Sequence, residues 1–378
     1  VRAADGAPQE ILSPHVAANA AADARAFAAL MRHLRETDTE RTVIMVQVEN
    51  EIGMLPDPRD HGPAADKAWQ QPVPAALGGG SWTGRYGKDA EEAFSAWHFA
   101  RYAERVAVAG KAEYPLPMFV NAALPRPGAK PGAAYPAAGP LPHLAEIWKK
   151  AAPSIDFLAP DIYFPNFLEW TEAYAKLQNN PLFLPEAGQS GAPDSTANAL
   201  FALGRLHAMG FSPFSIDTIP AAGAKDLSAL YALLQSLTPL ILERQGGDRL
   251  WGARPPIAHD GNADLSDQSV VMDGHRLTMR FIDPWTPREA QSPAQHGGMV
   301  IGLGDGEYLV AGRGVTLTFA PADGVGRAGI ERIDEGRMVD GRFVAGRRLN
   351  GDESHQGRHL RLPPGAFGVQ RVKLYRYR

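Results

Sequence analysis

Thr42-Val43-Ile44-Met45-Val46-Gln47-Val48 is a nearly unbroken apolar run rich in β-branched residues, and it ends abruptly in Glu49-Asn50-Glu51-Ile52-Gly53. An apolar run without polar alternation reads as a strand covered on both faces, as the strands of parallel sheets are. Its polar tail then emerges at the strand's C-terminal end. Before it, Pro14 to Glu36 is alanine-rich, with Phe27, Leu30, Met31 and Leu34 at helical spacing. The opening thus reads helix, then strand, then a cluster of acids and an amide.

The same alternation continues outward. A long segment from Met54 to about Lys88 is rich in Pro, Gly and aromatics, and loops of that length in compact domains carry function or move. Helices are expected over Glu91–Gly110, Leu141–Ala151 and Phe167–Leu177. A further helix, capped by Asp194 or Ser195 and stopped by Gly210, runs to Met209, and the last covers Lys225–Glu243. Strands are expected at Leu116–Leu124, Ile155–Tyr163, Pro181–Glu186 and Phe211–Asp217, which with the first makes five. Strict strand–helix alternation implies a parallel sheet joined by crossovers. After about Gly246 the pattern changes to short alternating segments, such as Leu277–Phe281 and Val315–Phe319, separated by Gly/Asp turns. That portion reads as an antiparallel β domain, a sandwich in outline.

Composition sets outer bounds. The 378 residues carry 38 Lys and Arg against 42 Asp and Glu, with no basic block, so no nucleic-acid surface is expected. There are no cysteines, which excludes disulfides, thiolate metal sites and cysteine nucleophiles. No apolar run reaches the ~20 residues that cross a bilayer. The chain begins Val1-Arg2-Ala3-Ala4 without an initiator methionine or a signal-peptide core, and reads as starting at a cut or processed end. A periplasmic or secreted location is expected ahead of a cytoplasmic one, with any signal region outside this chain.

The chemistry rests on two strand ends. Catalytic groups of (β/α) barrels collect at the C-terminal ends of the strands. Glu51 there offers a carboxyl acid beside Asn50, an amide able to bind a sugar hydroxyl. Hydrolysis of a glycoside needs a second carboxylate, and Glu186 ends a later strand in Leu184-Pro185-Glu186-Ala187-Gly188. Glu49 lies two residues earlier on the same strand and shares the face of Glu51; it could be the functional residue instead, but its deeper position favours a structural hydrogen bond. Gly78-Gly79-Gly80-Ser81 lacks the Lys-Ser/Thr of a phosphate loop. Asp260–Asp264 begins like a calcium loop, but Leu265 and Val271 stand where glycine and a bidentate glutamate are needed. No metal or other cofactor is expected.

VIMVQVENEIG resembles the fourth-strand motif of glycoside hydrolase family 35, whose members are mainly β-galactosidases. The resemblance spans roughly Ala3 to Asp217 and is nearest a bacterial subgroup with a β-rich C-terminal domain. It implies Glu51 as acid/base, Glu186 as nucleophile and Asn50 on the sugar 2-hydroxyl. Counting the strand of Glu51 as the fourth makes that of Glu186 the seventh, in keeping with the family. The nucleophile segment LPEAG departs from the Ser-Glu-Phe/Tyr form of larger members. An eight-stranded barrel needs three strands more than the five read here. Either those strands lie on another polypeptide or the sheet is open, and the motifs favour the first.

The fold expected is therefore a (β/α)8 TIM barrel lacking its first three strands over residues 1–245, with a β-sandwich-like accessory domain over 246–378. Tyr163 either hydrogen-bonds the nucleophile or packs at the rim. Asn121 either binds a sugar hydroxyl or caps the following loop. Asp217 either binds substrate or forms a salt bridge, the second being favoured. Of Trp69, Trp82 and Trp97, one could stack on a sugar, with Trp97 in the core. The expected activity is release of terminal β-D-galactose by double displacement from a β-galactoside or oligosaccharide, xyloglucan side chains included by family analogy. The expected protein partner is an N-terminal polypeptide completing the barrel. The alternatives are a barrel glycosidase of other specificity, such as a mannosidase or arabinosidase, and a noncatalytic carbohydrate-binding protein.

Overall fold

The structure, a computed structural model, describes residues 1–378. It is a mixed α/β protein containing a parallel sheet and several antiparallel sheets. The chain divides into two compact units, Val1–Ile162 with Ala173–Pro185, and Tyr163–Glu172 with Glu186–Arg378.

The first unit holds α1 (Ala17–Thr37), β1 (Val46–Gln47), α2 (Pro63–Trp69), α3 (Trp82–Tyr86), α4 (Ala90–Glu113), β2 (Met118–Ala123), α5 (Ala145–Ala151), β3 (Phe157–Ile162) and β4 (Phe183–Leu184). β1, β2 and β3 run parallel, with Val46 opposite Met118 and Phe119 opposite Phe157. Every residue of β3 is buried, as is most of β2, which is why both read as continuous apolar runs. Phe119, Phe157 and Phe183 stack and edge-pack with ring centroids 5.1–6.0 Å apart, fastening β4 to the sheet.

Three expectations are corrected here. The strand expected over Thr42–Val48 is shorter and is not covered on both faces, since Ile44 is 68% exposed. β1 lies at the end of the strand order and pairs with β2 over two residues only, Val46 opposite Met118 and Gln47 opposite Phe119. Second, the strand expected over Pro181–Glu186 is broken into Phe183–Leu184 and Glu186–Ala187 by Pro185, which has no N–H to give a ladder. Third, Phe211–Asp217 keeps only its first residue in a strand, because Ser215 takes a positive φ of 57° and a 3-10 turn follows.

The second unit contains most of α6 (Phe167–Ala175), then β5 (Glu186–Ala187), α7 (Ser195–Arg205), β6 (Gly210–Phe211) and α8 (Ala221–Arg244). Ten strands follow: β7 (Leu250–Ala253), β8 (Gln268–Met272), β9 (His275–Arg280), β10 (Gly297–Gly304), β11 (Glu307–Arg313), β12 (Val315–Pro321), β13 (Arg327–Val339), β14 (Arg342–Arg348), β15 (His359–Leu362) and β16 (Gly368–Tyr377). They form a six-stranded sheet, β14-β13-β16-β11-β10-β7, and a four-stranded sheet, β15-β12-β9-β8. Strand alternation sorts the side chains between two cores. Val300, Val310 and Val372 face the four-stranded sheet, meeting Leu277, Met279, Leu317 and Leu360. Their chain neighbours Met299, Ile301, Leu309 and Ala311 face α7 and α8, meeting Leu200, Leu230 and Leu237. The result is three layers, with both faces of the larger sheet covered. Glycines let α7 lie directly on β7: a Cβ on Gly204 would come within 2.8 Å of the Gly252 backbone.

Candidate active site

In the first unit the site begins where β1 stops. Val48 is fully buried, and the chain then turns through Glu49 and Glu51, whose φ angles are +62° and +46°. Two non-glycine residues in the left-handed region so close together mark a strained segment held by its surroundings. Strand alternation therefore ends at Val48, and the expectation that Glu49 and Glu51 share a strand face is corrected. Gly53 closes the motif because a Cβ there would meet the Ala137 carbonyl oxygen at 2.5 Å, where Met54 and Ala137 exchange backbone hydrogen bonds.

Asn121 in β2 holds this turn. Its Oδ1 accepts the Glu51 backbone N–H at 2.9 Å, and its Nδ2 donates to Asn50 Oδ1 at 3.0 Å and to Asp161 Oδ2 at 2.6 Å. Amide orientation is fixed by chemistry, since a backbone N–H only donates and a carboxylate only accepts. Asn121 is fully buried and both its amide hydrogens are used within this network, so its side chain bonds the Glu51 turn and β3. It positions Glu51. Asn50 Oδ1 also accepts Gln47 Nε2 at 3.0 Å, which occupies both its lone pairs and leaves its exposed amide nitrogen for a ligand.

Asp161, in β3 and 2% exposed, is the residue that the sequence reading missed. Its signal was present: a lone carboxylate inside the apolar stretch Phe157–Ile162.

A cavity of about 330 Å³ opens beside Glu49, Asn50 and Glu51, with Ile52, Leu55 and Phe99 among its apolar lining. The Glu49 backbone carbonyl accepts Gln47 Nε2 at 3.1 Å, but its carboxylate accepts no hydrogen bond, contrary to the structural role expected of that side chain. Burial, helped by the nearby negative charge of Asp23, pushes its carboxyl up to about 7. Asp23 in turn accepts a short hydrogen bond from Tyr102 Oη, and burial followed by that bond raises the Tyr102 phenol.

In the second unit Tyr163 Oη donates to Glu186 Oε2 at 2.5 Å, so of its two expected roles the bond to the glutamate is present. The Tyr163 ring also meets Phe214 edge-on at 6.1 Å. The segment after Glu186 is laced to Ser212–Ser215: Ala187 N–H donates to the Ser212 carbonyl at 2.9 Å, and Phe214 N–H to the Gly188 carbonyl at 2.8 Å. Asp217 is exposed on the 3-10 turn and forms no salt bridge, contrary to expectation. Trp82 is buried against Phe94, and Trp69 meets the same ring edge-on. No helix is long and apolar enough to cross a membrane.

The structure therefore brings Asn50, Glu51 and Asn121 into one network and Tyr163 and Glu186 into another. Residues 227–361 match a family described as a domain of unknown function (DUF5597). A comparison with curated proteins finds no match. Among solved structures, the chain is similar to a GH27 β-L-arabinopyranosidase from Geobacillus stearothermophilus at 7% identity and TM-score 0.30, covering 78% of this chain and 64% of that one. It is also similar to a protein from Bacteroides fragilis assigned as an α-galactosidase, at 9% identity and TM-score 0.32, covering 92% of this chain and 75% of that one. The chain thus spans less than two thirds of the arabinopyranosidase, and superpositions this loose carry no weight for its chemistry.

Proposed function

We propose that this protein is the catalytic part of a retaining glycoside hydrolase acting on β-galactosides, with Glu51 as acid/base and Glu186 as nucleophile. The observation that carries the reading is the 2.5 Å hydrogen bond from Tyr163 Oη to Glu186. A phenol donating to a carboxylate stabilises its ionised form, the form that attacks an anomeric carbon. The Asn50–Glu51 turn supports it from the other side of the reaction, offering a carboxyl acid on a held backbone beside an amide nitrogen available to a sugar hydroxyl.

In the first step Glu186 attacks the anomeric carbon while Glu51 gives its proton to the leaving oxygen. In the second, Glu51 takes a proton from water, which displaces Glu186 and releases the sugar with its original configuration. Such a double displacement needs carboxyl groups about 5–5.5 Å apart. Residues 1–245 belong to the catalytic barrel in this reading and 246–378 to the accessory domain. A segment that completes the barrel would pair with the outer edge of β1, just after Ile44, which is 68% exposed.

The test is trapping. A 2-fluoro galactoside with a good leaving group should form a stable adduct on the peptide containing Glu186, read by mass spectrometry. Glu51→Gln and Glu186→Gln should each abolish turnover of nitrophenyl β-galactoside. A label on another residue, or wild-type rates in either variant, would overturn the assignment. A panel of nitrophenyl glycosides separates galactose from mannose and arabinose specificity.

A further inference from the structure

Of seven tryptophans, Trp285 alone is exposed, with 49% of its surface open. An exposed tryptophan is unremarkable if it is mobile, but this one sits on an over-determined support. Asp283, 1% exposed, accepts Nε and Nη2 of Arg361 at 2.9 and 2.7 Å and the Thr286 hydroxyl at 2.5 Å. Gln291 completes the loop by bonding Asp283 N–H at 2.9 Å, its carbonyl at 2.8 Å and the Thr286 carbonyl at 2.6 Å. Arg361 then lies over the Trp285 ring at 5.3 Å, and His359 packs on it at 4.8 Å. Exposed His355 stands 5.9 Å from the same ring and stacks on His359. Burying a carboxylate under a surface loop costs free energy unless it is fully bonded. Here that bonding fixes the orientation of one open aromatic ring.

We propose that Trp285 is a stacking platform for a pyranose ring of a polysaccharide, with His355 and Arg361 positioned to bond the sugar hydroxyls at its rim. The C–H face of a pyranose carries a partial positive charge that complements the negative face of an indole. A protein partner fits less well. Half of one tryptophan offers roughly 100 Å², whereas a stable protein interface takes about 800 Å² from each side. One or two sugar rings match the size, and the imidazole and guanidinium rim matches their polarity. The site lies on the accessory β domain and does not depend on the catalytic reading of Glu51 and Glu186.

Native electrophoresis of the full chain through gels containing xyloglucan, β-1,4-galactan or hydroxyethylcellulose tests it. At least one polysaccharide should retard the wild-type protein, and Trp285→Ala should bind about tenfold or more weakly. His355→Ala should weaken binding less, and Trp285→Phe should keep part of it, which separates loss of a platform from loss of folding. Absence of retardation by all three polymers, or equal retardation of Trp285→Ala, would overturn the proposal. So would self-association of the wild type, seen by sedimentation and lost in Trp285→Ala, which would make the ring a contact between copies.

Discussion

The side-chain oxygen of Asn121 accepts the backbone N–H of Glu51 at 2.9 Å, so a buried amide in β2 fixes the backbone of a residue 70 positions earlier. Removing it takes one hydrogen bond from each of three groups: the Glu51 N–H, the Asn50 side-chain oxygen and the Asp161 carboxylate. Asn121→Ala should lower stability by about 2–3 kcal/mol, the cost of leaving buried polar groups without that partner. Asn121→Asp should be worse despite its shape, since it sets a second carboxylate where Asp161 now lies at 2.6 Å from an amide. Urea denaturation compares the two. If Glu51 is the acid, kcat should fall in Asn121→Ala more than KM rises, because orientation is lost rather than binding.

The bond from Tyr163 to Glu186 gives a second expectation. A hydrogen bond to a charged group contributes about 1.5–3 kcal/mol. Tyr163→Phe keeps the ring and its edge contact with Phe214 while deleting the donor. It should therefore lower kcat on nitrophenyl β-galactoside by about 10- to 100-fold with little change in melting temperature. A variant with unchanged turnover would place Tyr163 at the rim as packing alone.

The sequence made some of this readable for a simple reason. Glu51 and Glu186 stand directly after apolar runs, and a change from apolar to charged is visible in one dimension. The β sandwich was equally open, because alternation such as that of His275–Arg280 follows from a pleated strand with one covered face. Asn121 and Asp161 were harder. Their roles depend on β1, β2 and β3 lying side by side, and nothing local says that an asparagine's amide is already spent. The positive φ of Glu49 and Glu51 was also hidden, because left-handed backbone at a non-glycine residue is imposed by the surrounding fold. Ile44 misled for the opposite reason: its residue type said buried, while its place at the sheet's edge left it exposed.

Glu49 should make stability depend on pH. Its carboxyl stands at about 7 in the folded chain against an ordinary 4.5. The folded state therefore holds a proton that the unfolded state has lost. That contribution is complete below about 4.5 and disappears as pH rises through about 7. Glu49→Gln, neutral throughout, should match the wild type at pH 4.5 and exceed it at pH 8. The gain should be about 1–2 kcal/mol, discounted for the partial exposure of the group. Melting temperatures of both proteins across this range provide the check, and parallel curves would remove Glu49 from the account.

His15 and His98 pull in the other direction. Their rings lie 4.3 Å apart and each packs on Phe94. Burial lowers His15 to about 4, with Asp60 opposing and Arg59 adding to the shift. Burial and then the neighbouring His15 lower His98 to about 3. Both imidazoles are thus neutral in the fold at pH values where the unfolded chain has protonated them. The stability they permit is whole above about 6.5 and is lost as pH falls toward 4. Between pH 6.5 and 4.5 the loss should reach about 2–3 kcal/mol for the pair after allowance for their partial exposure. His98→Gln should flatten this acid limb and leave the alkaline limb set by Glu49 unchanged. The two limbs overlap between about pH 4.5 and 6.5, where two histidines outweigh one glutamate, so wild type should be most stable near pH 7. Urea midpoints measured at half-unit intervals would resolve them, and an acid limb that persists unaltered in His98→Gln would show that other groups cause it.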